Sequence, residues 1–160
     1  MKFKSGIEQT LCILTMLALQ KNSKPVRSSL ISGRLAVSDS YLKKIMRQLV
    51  VFGLVTSDSG REGGFRLARP LSKITLLDVF DVIEGKAQFA QSSGLSCQVF
   101  SDHVQDLNRK DALMNAFGEA EQLYRKRLKQ FNLGQLLTID HQVDWESIIK
   151  VGREHLNVTT

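Results

Sequence analysis

Apolar residues recur at helical spacing in five stretches of the chain, and two shorter stretches show the alternation that is typical of strands. The helical stretches are residues 5–20, 27–35, 38–52, 76–84 and 102–130. Short strands are predicted at residues 54–56 and 65–67, with the tip of a hairpin at residues 58–64. This order predicts a winged helix-turn-helix, mostly α with a small β-hairpin wing (α+β), followed by a long C-terminal helix.

The third predicted helix places apolar and cationic residues on opposite sides. Ser38, Asp39 and Ser40 are good N-cap residues, and Gly53 can end the helix in the left-handed conformation. The apolar face consists of Leu42, Ile45, Met46 and Leu49. The other side carries Lys43, Lys44, Arg47 and Gln48. Because a capped helix of this length fits the major groove of DNA, residues 38–52 are the predicted recognition helix.

The predicted hairpin is rich in glycine and carries cations. Positive φ and close approach of backbones are permitted at Gly60, Gly63 and Gly64. Strand alternation directs Phe65 and Leu67 toward the core and Arg66 away from it. Arg61, at the tip, is a candidate for a phosphate contact or for insertion into the minor groove. Residues 54–69 are therefore the predicted wing.

Charge is concentrated in the same part of the chain. Residues 1–85 hold 13 basic and 7 acidic residues, whereas residues 86–160 hold 9 of each. Between Lys21 and Lys73 the count is 11 basic against 3 acidic. A merely soluble basic surface would explain scattered lysines, but here the excess coincides with the predicted reading helix and wing. The distribution favours binding to a polyanion.

The candidate DNA-binding residues come from the start of the second helix, the recognition helix and the wing. They are Arg27, Ser28, Ser29, Ser38, Ser40, Tyr41, Lys43, Lys44, Arg47, Arg61, Gly63, Gly64 and Arg66. Ser40 and Tyr41 lie where a recognition helix usually meets base edges, and Lys44 and Arg47 are long enough for phosphates or a guanine edge. Two alternatives remain open: Tyr41 packs its ring on the core with the hydroxyl in water, and Lys43 is an ordinary solvated residue.

Several motifs in the first half resemble a bacterial regulator family. They are Ser38-x-x-Tyr41-Leu42, Gly53-Leu54-Val55, Gly63-Gly64-Phe65-Arg66-Leu67-Ala68-Arg69-Pro70, Ile74-Thr75-Leu76-Leu77-Asp78-Val79 and Ile83-Glu84-Gly85. In this order they resemble the Rrf-two family of winged helix-turn-helix transcriptional regulators. The resemblance implies a DNA-binding dimer. One departure lies in the wing, where members often carry three successive glycines and this chain has Glu62 before Gly63.

The C-terminal half predicts a dimerisation element. Residues 1–85 form the predicted DNA-binding domain, 86–101 a linker or loop, and 102–160 the long helix with short terminal helices at 134–138 and 144–151. The long helix carries an apolar stripe that includes the predicted dimerisation residues Leu113, Phe117, Ala120, Tyr124 and Leu128. Such a stripe needs a partner, either the same helix of a second subunit or the first helix of its own chain.

Cysteine usage bears on sensing. Some members of the resembling family bind an iron–sulfur cluster through three closely spaced cysteines after the fourth helix, whereas this chain has only Cys97 there and Cys12 elsewhere. We therefore predict no cluster, no metal and no cofactor. One hypothesis is that Cys97 senses oxidants or electrophiles, with Cys12 as its partner. The competing hypothesis is an effector, either a small molecule or a protein partner.

The sequence lacks the features of an enzyme and of a membrane protein. His103, His141 and His155 have no nucleophile or carboxylate motif beside them. The apolar run at residues 11–19 is short of the ~20 residues that a membrane span needs, and no cleavage site follows. We therefore predict a cytoplasmic homodimeric regulator, a repressor, that binds double-stranded DNA. The alternative is a winged-helix module that binds protein or RNA without operator specificity.

Overall fold

The computed structural model describes residues 5–88, 91, 93, 95, 104–137 and 142–145, with the backbone alone at 5, 104–111 and 113. The helices whose bounds can be given from the described residues are α1 (Ser5–Leu19), α2 (Ser28–Leu35), α3 (Asp39–Val51), α4 (Leu76–Glu84) and α5 (Val104–Gln130). The strands β1 (Val55–Asp58) and β2 (Gly64–Leu67) form a two-stranded antiparallel sheet. Single 3₁₀ turns lie at Lys21–Ser23, Leu71–Lys73 and Leu133–Leu136. The predicted fold, mostly α with a hairpin wing, is confirmed.

The core lies among α1, α2, α3, α4 and the inner edge of the hairpin. Its fully buried side chains include Ile13 and Leu14 of α1, Ile31 of α2, Leu42 of α3 and Val79 of α4. Burial of this apolar surface is the main favourable contribution to folding. It also fixes α3 in rotation about its own axis, because the helix buries its apolar face and no other.

The wing is held by the segment before α2 as well as by its own ladder. In the ladder Val55 faces Leu67 and Asp58 faces Gly64. Val26 forms an antiparallel bridge with Phe65: the Val26 amide donates to the Phe65 carbonyl at 2.8 Å, and the Phe65 amide donates to the Val26 carbonyl at 2.9 Å. Val26 is therefore a one-residue third strand, which the apolar pattern did not predict.

Gly63 and Gly64 are required for close approach rather than for positive φ. Gly60 has φ +104°, but Gly63 and Gly64 lie outside the positive-φ region, which corrects that part of the expectation. A Cβ on Gly64 would lie 2.6 Å from the carbonyl oxygen of Val26, and a Cβ on Gly63 would lie 2.4 Å from that of Asp58. Side chains at either position would push the wing backbone away from its neighbour.

The C-terminal part of α5 is joined to α4. The Arg125 guanidinium donates to both carboxylate oxygens of the buried Asp81, at 2.7 and 3.0 Å. The rings of Phe80 and Tyr124 meet edge to face at 5.4 Å. Burial raises the pKa of the Tyr124 phenol above its usual value, and the Glu84 carboxylate adds to the increase. These contacts anchor α5 to the winged domain.

The predicted apolar stripe of α5 is divided between two environments. Tyr124, Leu128 and Phe131 pack against the core, chiefly beside α4, whereas Phe117 and Leu123 are 51% and 69% exposed. Ala120 is exposed, and the side chain of Leu113 lies outside the described residues. Intramolecular packing therefore uses the C-terminal end of the stripe and leaves part of its apolar surface in water.

Part of the expected linker and most of the expected 144–151 helix lie outside the described residues, and the expected 134–138 helix is a 3₁₀ turn. Among the described helices, none combines the length and apolar character that crossing a bilayer requires.

Replacement of Gly64 by alanine tests the close approach of the wing to Val26. We expect Gly64→Ala to lower the free energy of unfolding by roughly 2 kcal/mol, because the new methyl group meets a backbone carbonyl that cannot rotate away. Gly33→Ala in α2 is the matched control, since no atom lies within 4 Å of its Cβ position. It should leave stability unchanged or raise it by up to about 1 kcal/mol. Urea unfolding measures both, and equal midpoints for Gly64→Ala and wild type would contradict the packing.

Candidate nucleic-acid interface

The outward face of α3 carries three cations. Lys43, Lys44 and Arg47 are all exposed, on the side of the helix opposite its buried apolar residues. Within the described part of the chain none of the three has an ion-pair or hydrogen-bond partner. Unpaired cations on a rigid helix repel one another and attract phosphate. The free energy gained on binding a phosphate is largest where no carboxylate of the protein already pairs with the cation.

The start of α3 is fixed by a cap and by a bond from α2. The Tyr41 amide donates to Ser38 Oγ at 3.3 Å, which confirms the predicted N-cap. Ser32, only 6% exposed, donates from its hydroxyl to Asp39 Oδ1 at 2.6 Å. Asp39 stands in the first turn, where the helix dipole favours a negative charge. The Ser32–Asp39 bond therefore ties α2 to α3 at the turn between them, and periodicity gave no signal for it.

Tyr41 lies along α1. Its side chain is 37% exposed, and its hydroxyl donates to Gln9 Oε1 at 2.8 Å. The hydroxyl is also 3.7 Å from the position that a Cβ on Gly6 would occupy. Both interpretations of Tyr41, a packed ring with an exposed hydroxyl and a contact with DNA, stay predictions. Gln9 was missed because 32 residues separate it from its partner.

The start of α2 presents one arginine and two serines. Arg27 occupies the N-cap position, where it makes no side-chain cap bond, and its carbonyl accepts from the amides of Leu30 and Ile31 at 3.1 and 3.2 Å. Arg27 and Ser29 are exposed, and Ser28 is half-buried. Short hydroxyls beside free amides at a helix start suit a phosphate oxygen. Their predicted contact with DNA remains a prediction.

The wing presents Arg61 to solvent and holds Arg66 in an internal ion pair. Arg61 is exposed at the tip. Arg66 is directed away from the core, as alternation predicts, and its guanidinium pairs with the Asp58 carboxylate on the opposite strand. Because both side chains are partly exposed, the pair contributes little stability but orients the guanidinium. The Arg69 guanidinium lies 3.5 Å from the Asp78 carboxylate, an ion pair between the end of the wing and the first turn of α4.

The recognition helix and the wing are consecutive and closely joined. Gly53, with φ +67°, ends α3, and the Leu54 amide donates back to the Leu49 carbonyl at 2.9 Å. The Ala68 amide donates to the Leu54 carbonyl at 3.0 Å, which closes the base of the hairpin. The turn at Gly53 thus carries the chain from the cationic helix directly into the wing.

Comparison with known proteins gives the family. The family model for Rrf2, described as "Iron-dependent Transcriptional regulator", matches residues 3–139. The chain belongs to the Rrf2 family. YwgB of Bacillus subtilis (strain 168), assigned by name to the HTH-type transcriptional regulators, is 38% identical over 139 residues, covering 78% of this chain and 89% of that protein. YffB of Lactococcus lactis, named in the same way, is 38% identical and covers 85% and 86%.

Solved structures of the family share the fold of this Rrf2 chain. CymR (YrzC), the global cysteine regulator of B. subtilis, superposes with a TM-score of 0.58 at 21% identity, over 85% of this chain and 95% of that chain. IscR of T. potens superposes with a TM-score of 0.59 at 22% identity, over 86% of each. The protein is a DNA-binding transcriptional regulator and not an enzyme.

The family's description names iron, and a protein-bound iron–sulfur cluster needs suitable donor atoms in the chain. The sequence holds two cysteines, fewer than the three thiolates of the cluster sites considered above. Cys12 is exposed on α1, and Cys97 lies outside the described residues. Among the described residues no group of three or more His, Cys, Asp or Glu could hold a metal ion. This donor set does not fit an iron–sulfur cluster, and the chain's independence of iron stays a prediction.

Removal of the Ser32 hydroxyl tests the bond between α2 and α3. Ser32→Ala should lower the free energy of unfolding by about 1 kcal/mol, because the exposed Asp39 loses a charge-assisted hydrogen bond from a buried serine. Ser29→Ala, an exposed serine three residues earlier on the same helix, is the matched control and should change stability by less than about 0.5 kcal/mol. Thermal and urea unfolding measure both variants. If the two variants unfold alike, the bond does not hold the two helices.

Proposed function

We propose that this Rrf2-family protein is a sequence-specific repressor that binds double-stranded DNA as a homodimer. In this proposal α3 enters the major groove, and the wing follows the flanking backbone or the minor groove. The observation that carries the proposal is the unpaired cationic face of α3, held outward by four buried apolar residues on the opposite side: Leu42, Ile45, Met46 and Leu49.

The proposed contacts divide into positioning and reading. Lys44, Arg61 and the start of α2 supply cations and short donors for phosphates, which fix the register without reading sequence. Ser40 and Tyr41, in the first turn of α3, face base edges, and Arg47 offers two parallel donors to guanine. The bond from Tyr41 to Gln9 supports this assignment because it holds the phenol still before DNA arrives.

Dimerisation supports sequence specificity by doubling the contact. The exposed Phe117 and Leu123 lie on a helix whose other end is anchored to the winged domain by the Asp81–Arg125 pair. Burial of this apolar surface against a second copy of the chain would stabilise a dimer. A two-fold dimer presents two copies of α3 to two half-sites on the DNA. Repression then requires no further surface, because a dimer bound at a promoter excludes polymerase by its volume.

The proposed regulator senses its signal through a thiol or through a bound effector. The thiol hypothesis rests on Cys97, which lies outside the described residues, and on the exposed Cys12. Cys12 lies on α1, the helix that also carries Gln9, the hydrogen-bond partner of Tyr41. Oxidation of this exposed thiol would therefore take place within a few helical turns of a residue that contacts α3. The competing hypothesis is an effector, either a small molecule or a protein partner.

A panel of variants on selected and scrambled duplexes tests the proposed contacts. A preferred duplex is first selected from a random pool. Lys44→Ala and Arg61→Ala should weaken binding to both duplexes and each reduce the slope of log affinity against log salt by about one. Tyr41→Ala should cost about 1–3 kcal/mol on the preferred duplex and little on the scrambled one. Fluorescence anisotropy at several salt concentrations measures each affinity.

Lys129→Ala, an exposed cation on α5 outside the winged domain, is the control and should bind both duplexes like wild type. Equal losses on both duplexes for every variant would contradict the assignment of reading to Tyr41. Weak binding of wild type to any duplex, together with a tight protein or RNA partner, would instead support the alternative of a winged-helix interaction module.

The proposed dimer is tested on the exposed part of α5. Leu123→Glu should raise the dimer dissociation constant at least about ten-fold, because a carboxylate would be buried in an apolar contact. Leu136→Glu is the matched control, since Leu136 is also exposed, at 45%, but lies beyond the end of α5. Sedimentation equilibrium gives the two constants. A wild type that remains monomeric at micromolar concentration would overturn the dimer.

A further inference from the structure

Four residues near the C-terminus return to the winged domain and bind the end of α1. The Val143 amide donates to the Leu19 carbonyl at 2.7 Å, and the Lys21 amide donates to the Val143 carbonyl at 3.0 Å, which forms a parallel bridge between Gln20 and Val143. The Trp145 indole Nε1–H donates to the Met16 carbonyl at 2.9 Å. We name the segment of residues 142–145 the clasp.

The clasp supplies hydrogen-bond donors that the end of α1 lacks. The last four carbonyls of a helix have no partner within the helix, and the last turn of α1 carries no basic side chain to serve them. Two of these acceptors, Met16 and Leu19, receive donors from the clasp. Gln20, 5% exposed, accepts from the Trp145 amide at 3.5 Å through its side chain. The C-terminal end of α1 is thus capped by residues more than 120 positions later in the sequence.

Trp145 also reaches α2. The Arg34 guanidinium lies over the indole ring, 5.1 Å from its centroid, in the geometry of a cation–π contact. The same side chain therefore binds α1 through its N–H and α2 through its ring face. Since the Ser32–Asp39 bond ties α2 to α3, a fixed α2 means a fixed recognition helix.

The clasp lies after the residues that the Rrf2 family model matches. The match to the Rrf2 family model ends at residue 139, and the clasp begins at Gln142. It also lies far in sequence from the residues that it contacts, so it adds a further long-range constraint to the winged domain.

We propose that the clasp positions the helix-turn-helix for DNA, with Trp145 as the positioning residue and Arg34 as the side chain through which it acts on α2. The proposal rests on the proposed DNA-binding function. Docking of Trp145 restrains α2 relative to α1, and this restraint is present before DNA binds. Without it α2 and α3 must be ordered on binding, and affinity falls.

The test uses full-length protein and the preferred duplex, with affinities measured at 25 °C by anisotropy. Trp145→Ala should bind about ten-fold more weakly than wild type. Trp145→Phe loses the indole N–H but retains a ring beneath Arg34, and the backbone bonds of Val143 still hold the clasp to α1, so it should recover affinity to within about three-fold of wild type. Arg34→Gln should weaken binding in the wild-type background and add nothing to Trp145→Ala, because both changes break the same contact. Leu136→Ala, an exposed apolar residue outside the clasp, should bind like wild type.

A second measurement reports on the clasp directly. Trp145 is the only tryptophan in the chain, so intrinsic fluorescence reports on this contact alone. Arg34→Gln removes an exposed side chain and leaves the fold intact, and it should make acrylamide quenching of Trp145 faster. This variant keeps the test valid if Trp145→Ala does not fold, which circular dichroism would show.

Each outcome decides the proposal. The clasp proposal is overturned if Arg34→Gln binds the preferred duplex as tightly as wild type does. It is also overturned if the losses of the two single variants multiply in the double variant. In both cases wild type still selects its preferred duplex, so the proposed DNA-binding function stands. Unchanged quenching in Arg34→Gln would also overturn the clasp proposal. Failure of wild type to prefer any duplex would overturn the proposed DNA-binding function and the clasp with it.

Discussion

Burial of one face of α3 is the constraint on which the rest of the structure depends. Leu42 and Leu49 are wholly buried and lie seven residues apart, so they fix the helix at both ends of its apolar stripe. With that rotation fixed, the cations at positions 43, 44 and 47 have no route to the interior and stay in water. The hydrophobic core therefore determines the charge pattern of the surface.

Rotation alone does not orient a reading helix, and the remaining freedom is removed by polar contacts from neighbouring elements. The Ser32–Asp39 bond limits the angle between α2 and α3, and the Tyr41–Gln9 bond connects α3 to α1. Each such bond contributes modest net stability, on the order of 1 kcal/mol. Their larger effect is geometric, because a base edge is read only when donors lie within a few tenths of an ångström of their acceptors.

The local sequence pattern was sufficient to predict the helices and strands but not the contacts between them. The amphipathic face of α3, the Ser38 cap and the outward direction of Arg66 follow from spacing within a few residues, and each was predictable. The Val26 bridge to the wing and the Gln9 partner of Tyr41 depend on residues that meet only after folding. Periodicity holds no information about such pairs. Position 64 shows this limit: the glycine was noted from the sequence, but the Val26 backbone that leaves no room for a side chain there was not predicted.

The apolar stripe of α5 is partly packed on the winged domain and partly exposed, so this one helix connects the winged domain to the surface proposed for dimerisation. Its C-terminal end is bound to α4 by a buried carboxylate–guanidinium pair and an aromatic contact, so it moves with the winged domain. Its exposed residues, Phe117 and Leu123, therefore hold a fixed position relative to α3. Because breaking a buried ion pair by removing one partner is strongly destabilising, this joint resists bending. In the proposed dimer, the contact along α5 would set the distance between the two α3 helices, so half-site spacing would depend on α5 rather than on the wing.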